Sequence, residues 1–149
     1  MWPFGRRARP GLTQEQLEIQ RAIRLGQFEK AERLLQAILE QKPEDPWARN
    51  KTAVVWILTG RVQAAQALLE DLLADCPDYA PAWVNRGNLA FERNDLEEAQ
   101  ACYEKALELD PHSSAAHNNL AAVYKRQGNI QAMVRHLKEA NRARIRYEP

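Results

Sequence analysis

Apolar residues recur along the chain at helical spacing and are interrupted at regular intervals by glycine, asparagine or proline. Phe28, Ala31, Leu34, Leu35 and Ile38 form one stripe, and Val62, Ala65, Leu68, Leu69 and Leu72 form another. Trp47, Ala53, Val54, Trp56 and Ile57 make the most apolar helix of the chain. Residues three and four apart share a helix face, so each stripe predicts a helix packed on a neighbour. Thr13, with Gln16 three residues on, predicts a capping box and a helix over 14–25, followed by a second over 28–40. Gly26 between them suits the left-handed backbone that ends a helix. Asp45-Pro46 opens the next helix, and Asp78 and Ser113 are the expected caps of two later ones.

These interruptions share one period. Pro43, Pro77 and Pro111 lie 34 residues apart, and so do Gly26, Gly60, Asn94 and Gly128. Ala31, Ala65, Ala99 and Met133 form a third column, and Leu35, Leu69, Tyr103 and Leu137 a fourth. One spacing without insertion marks a stack of repeats in which each unit buries its apolar face on its neighbours. The units are 12–45, 46–79, 80–113 and 114–147; residues 1–11 are expected to be a flexible basic arm and 148–149 a tail. In the last unit His117 stands where Trp83 stands in the third, and Ile145 replaces proline. Nothing then stops its second helix between Asn129 and about Arg146, so that helix should outrun its counterparts. Its Arg135, Lys138, Arg142 and Arg146 would give the polar outer surface of a terminal repeat, with no separate capping helix beyond.

From Ala80 to Pro111 the chain places Trp83, Gly87, Ala99, Tyr103, Ala106 and Pro111 at a spacing that resembles the tetratricopeptide repeat. Arg86 and Ala90 occupy positions where that pattern usually has Leu and Tyr. The resemblance implies an all-α, right-handed α-solenoid of eight helices arranged as helix-turn-helix repeats. It also implies a non-catalytic adaptor or scaffold that binds a protein or peptide. Short side chains in the Ala31 column would let crossing helices approach closely.

Composition narrows the class. Of 149 residues, 45% are hydrophobic and 28% charged, which suits a folded globular chain. No apolar run is long enough for a transmembrane span, and the start, Met1-Trp2-Pro3-Phe4-Gly5-Arg6-Arg7, lacks the apolar stretch of a signal peptide. Cys76 and Cys102 have no metal or redox spacing, so reduced thiols and a cytoplasmic location are expected. The net charge of +1 hides basic ends around an acidic middle. Solvated helix faces account for this, and the alternative is a nucleic acid or acidic polymer held by Arg142, Arg144, Arg146 and the arginine arm. Self-association, as a weak homo-oligomer in place of a monomer, is a third reading.

Candidate chemistry is sparse. His112, His117 and His136 fall at a turn, at a packing position and in the last helix, without a metal-binding or nucleophile motif. Glu97 and Glu98 follow Asp95 at a helix start, where acids favour the helix dipole. No enzyme activity, cofactor, metal or small-molecule substrate is therefore expected. What the family resemblance offers instead is a concave groove lined by the first helix of each repeat. Carried onto this sequence, it presents Gln16, Leu17, Gln20, Ile23 and Arg24 from the first repeat. The second gives Asn50, Lys51, Val54 and Ile57, the third Asn85, Asn88 and Phe91, and the fourth Asn118, Asn119, Ala122, Lys125 and Arg126. Asn85 and Asn119, one repeat apart, resemble the asparagine ladder of some such grooves, with Leu17 and Lys51 in the equivalent column. Carboxamides donate and accept, so a row of them can pair with a peptide backbone of any sequence. The lysine, asparagine and arginine clamp that some relatives use for a terminal carboxylate finds only asparagine matches. A looser preference for acid, from Lys51, Lys125 and Arg126, remains open.

Overall fold

The computed structural model describes residues 11–147, and the expectations for the arm with Trp2 and Phe4 and for the tail fall outside that range. Among the described residues there are eight α-helices and no strand. The chain divides into two compact units between Asp45 and Pro46.

The first unit is a hairpin of α1 (Gln14–Arg24) and α2 (Phe28–Gln41). The Thr13 hydroxyl accepts from the Gln16 amide at 3.1 Å, and the Gln16 carboxamide accepts from the Thr13 amide at 3.0 Å, so the predicted capping box is present. Ile19, Ala22, Ala31 and Leu35 are buried, and Lys30 pairs with Glu18 across the hairpin at 2.7 Å.

The second unit stacks three hairpins: α3 (Pro46–Leu58) with α4 (Val62–Asp75), α5 (Ala80–Glu92) with α6 (Leu96–Leu109), and α7 (Ser114–Arg126) with α8 (Ile130–Tyr147). Each helix packs on its neighbour in sequence or on the next but one. Ala53, Ala65, Leu69, Leu72, Leu73, Ala82 and Leu89 join α3, α4 and α5 in one apolar cluster. Ala90, Ala99, Tyr103, Leu120 and Val123 join α5, α6 and α7 in a second.

The periodic columns acquire their physical meaning here. Gly26, Gly60, Asn94 and Gly128 have φ of 70°, 84°, 61° and 76°, the left-handed backbone that reverses the chain inside each hairpin. A Cβ at Gly26, Gly60 or Gly128 would meet nothing within 4 Å, so dihedral preference and not space selects the residue. Asparagine, the non-glycine residue most at ease there, fills the third position. At Gly87 the constraint is the opposite. Its φ is helical, but an added Cβ would lie 2.6 Å from Cε1 of Tyr103. The equivalent pairs in the neighbouring repeats are Ala53 with Leu69 and Ala121 with Leu137, so a larger ring on one helix accompanies a smaller residue on the other.

The Trp column also carries a bond. The Trp83 indole donates to the Pro77 carbonyl at 2.8 Å, and His117 Nε2 lies 3.1 Å from the Pro111 carbonyl, one period later. In α7 histidine thus preserves the ring N–H that ties α5 to the turn before it. The expected cap at Asp78 is corrected: the N-cap of α5 is Tyr79, with no side-chain hydrogen bond. Pro81 at the start of that helix has no N–H to offer, and Tyr79 shares its column with Asp45 and Ser113, one residue past Asp78. Ser113 does cap α7, its hydroxyl accepting from the Ala116 amide at 3.2 Å. With no proline at position 145, α8 runs for 18 residues against 14 in α6.

Candidate functional site: the asparagine-bearing face of α3, α5 and α7

The residues expected on the groove of the second unit sit on the first helices of its three hairpins. Their carboxamides meet in two bonded pairs. Asn85 Nδ2 donates to Asn50 Oδ1 at 2.9 Å, linking α5 to α3, and Asn119 Nδ2 donates to Asn88 Oδ1 at 2.8 Å, linking α7 to α5. The pairing residues are 35 and 31 apart in sequence, so Asn85 and Asn119, the two expected rungs, each bond to an asparagine outside their own column. Asn50 is only 3% exposed and serves to orient Asn85. Asn85 and Asn119 are half-buried, and each keeps its oxygen and second N–H outside the pair.

Tyr103 from α6 adds a member that sequence reading missed. Its hydroxyl donates to the same Asn88 oxygen at 2.8 Å, from a ring 1% exposed. Burial raises the phenol pKa above its ordinary value, so the group stays a donor at neutral pH. The signal was present as the one aromatic in a leucine column, but nothing in periodicity says which way a hydroxyl points.

Charge gathers at the ends of this face. The Lys51 ammonium lies 5.9 Å over the Trp47 ring, and burial lowers its pKa from the ordinary lysine value. It forms no ion pair among the described residues, leaving a partly desolvated cation held by a ring face. The Arg126 guanidinium stacks 3.8 Å from the Phe91 ring centre and donates to the Phe91 carbonyl at 3.2 Å and to Asn94 Oδ1 at 3.3 Å. Lys125 and Asn118 are exposed and Ala122 is half-buried. Val54 is half-buried, while Ile57 and Phe91 pack mainly against the two apolar clusters.

In the first unit, Leu17 lines a concavity of about 860 Å³ between α1 and α2, with Arg21, Leu25, Lys30 and Leu34, while Gln16 is taken up by the capping box. Two of the histidines meet where α7 packs on α8. His117 Nδ1 and His136 Nδ1 are 3.0 Å apart, and with His117 Nε2 donating to Pro111 the shared proton lies on His136. Tyr124 stacks on His136, and no group of three or more metal-ligating side chains occurs among the described residues. No helix among them is long and apolar enough to cross a membrane.

Comparison with known proteins agrees with this architecture. Residues 22–86 match a family model described as "Tetratricopeptide repeat", and residues 87–128 match one described as "TPR repeat". The tetratricopeptide repeat-containing protein trd-1 of Caenorhabditis elegans is 26% identical over 144 residues, covering 78% of this chain and 19% of its own length. Cellulose synthase operon protein C of Pseudomonas fluorescens is 33% identical over 114 residues, covering 71% of this chain and 9% of its own. The chain therefore spans less than a fifth of either relative. The crystal structure of a thermophilic TPR protein of Thermus thermophilus superposes with a TM-score of 0.73 at 23% identity, over 87% of this chain and 74% of that one, a likeness of fold.

Proposed function

Because the chain belongs to the tetratricopeptide repeat family, we propose that the face of α3, α5 and α7 binds an extended segment of a partner protein, and that the protein is a non-catalytic adaptor. The observation that carries this reading is the pair of interhelix asparagine bonds, which fix Asn85 and Asn119 with one edge of each carboxamide turned away from the pair. A carboxamide held in place by a second one loses little entropy on binding, so it pairs with a peptide backbone at low cost. Lys51 and Arg126, one over a ring and one against a ring, supply positive charge at either end and favour a ligand with acidic residues. The unpaired thiols Cys76 and Cys102 support a reducing compartment such as the cytoplasm.

Affinity capture from extract, comparing the wild-type chain with Asn85→Ala/Asn119→Ala, tests the reading. Proteins retained by the wild type and lost with the double variant are the expected outcome. Equal recovery of nucleic acid by both, released as salt is raised, would replace this reading with one in which the basic ends are the functional surface. Isothermal titration of a captured peptide against its neutralised version then examines charge, with weaker binding of the neutral form expected.

A further inference from the structure

The last helix of the second unit keeps two apolar columns of the internal helices, at Ile130 and Leu137, and leaves both side chains exposed among the described residues. Leu69 and Tyr103 are 1% exposed, enclosed in clusters completed by α5 and α7, whereas Leu137, next in the same column, is 45% exposed. Ile130 and Val134, seven and three residues earlier on the same face, are exposed as well. Buried Ala132, Ala140 and Ala143 hold the opposite side of α8 inside the fold.

This face also differs from an internal one left bare. At the position of Val134, α4 and α6 carry Gln66 and Gln100, which bond to the following helix through Arg93 at 3.3 Å and Gln127 at 3.2 Å. At the position of Lys138 they carry Glu70 and Glu104. A polar contact has become apolar, and the acid at the rim has become a base. With Arg142 and Arg144 beside it, α8 carries five Lys or Arg against one acid, Glu139.

We propose that the Ile130, Val134 and Leu137 face of α8 docks an acidic amphipathic helix of a partner protein. The helices that cover the equivalent positions inside this molecule show the pattern such a helix needs. Ala82 with Leu89 in α5, and Ala116 with Val123 in α7, are a small residue and a branched one seven apart, both buried. The docked helix carries that pair, with Asp or Glu where α5 has Arg86 and Arg93, because those arginines line the cleft beside Glu70 and would meet Lys138 instead. The same repulsion argues against a second copy of this chain as occupant: two α8 helices repel, and α5 has the wrong charge. The surface is separate from the asparagine face, so this inference does not rest on the function proposed above.

The probe is a fluorescent, helix-stapled peptide with the sequence of residues 79–94 carrying Arg86→Glu and Arg93→Glu, titrated into the full chain and read by anisotropy. It should bind at least about tenfold tighter than the unmodified peptide, as expected when like charges are replaced by opposite ones. Leu137→Glu and, separately, the surface change Lys138→Glu should each weaken it by about tenfold or more, while Asn85→Ala/Asn119→Ala leaves it unchanged. Because Lys138 is exposed, its variant keeps the fold even if Leu137→Glu does not. No binding of either peptide, equal binding of both, or indifference to Lys138→Glu overturns the proposal. So does a self-associated chain that Leu137→Glu makes monomeric, or capture of the chain by phosphatidylserine vesicles with no peptide binding.

Discussion

Replacing Gly87 by alanine isolates the packing that connects the core to the asparagine face. The new Cβ would lie 2.6 Å and 2.8 Å from Cε1 and Cδ1 of Tyr103, well inside van der Waals contact. The ring cannot retreat freely, because it sits in a cluster with Ala90, Ala99, Leu120 and Val123 and its hydroxyl is bonded to Asn88. Alanine in a helix interior gains about 1 kcal/mol over glycine. Against that stand about 1–3 kcal/mol of overpacking and about 1 kcal/mol for a displaced hydrogen bond. The balance is a loss of about 1–3 kcal/mol. Tyr103→Leu alone leaves a void and costs on the order of 2 kcal/mol. The two changes together recreate the Ala53 and Leu69 combination of the preceding repeat, so the double variant should recover about 2 kcal/mol relative to the sum of the single effects. Urea unfolding followed by circular dichroism measures all four corners of the cycle. Additivity within about 0.5 kcal/mol, or a Gly87→Ala variant as stable as wild type, would refute the argument that Gly87 exists to admit the tyrosine ring.

Three further outcomes are expected. Asn94→Ala should lose about 1 kcal/mol, since alanine resists the left-handed backbone that Asn94 adopts, while Asn94→Gly should match or exceed wild type in the same unfolding assay. Ala99→Leu should lower the melting temperature by several degrees, because Ala99 is fully buried where α6 meets α5 and α7 and has no room for a longer side chain. His136 should make stability depend on pH: burial, then the neighbouring His117 and Arg135, lowers its pKa from the ordinary 6.5. The unfolded chain then binds the proton first, so stability falls as pH drops through about 6.5 toward the folded-state value. His136→Leu, which restores the residue found at Leu34 and Leu68, should flatten that slope in unfolding curves taken from pH 8 to 5.

The fold was legible because helix boundaries and turns obey local rules that repeat. The left-handed positions and the absent proline at 145 each follow from one residue's own conformational limits, and the buried alanines from the close approach of crossing helices. The site was less so. Which atoms of Asn50, Asn85, Asn88 and Asn119 meet depends on how adjacent helices are rotated, and the pairs that form are 35 and 31 apart in place of 34. Asp78 was misplaced by a single residue because a good capping side chain is not sufficient; the helix must also begin directly after it. The Tyr103 hydroxyl required knowledge of an acceptor on another helix, which no column of identities contains.

In the second unit the helices pack mainly on their neighbours in sequence or on the one beyond. Such a topology closes short loops first, and the entropy lost before the first contacts form is small. Folding should therefore be rapid for a chain of this size, as low contact order requires. It can begin in any hairpin and spread along the array. During synthesis, α3 and α4 have their mutual contacts as soon as both have left the ribosome, without waiting for α8.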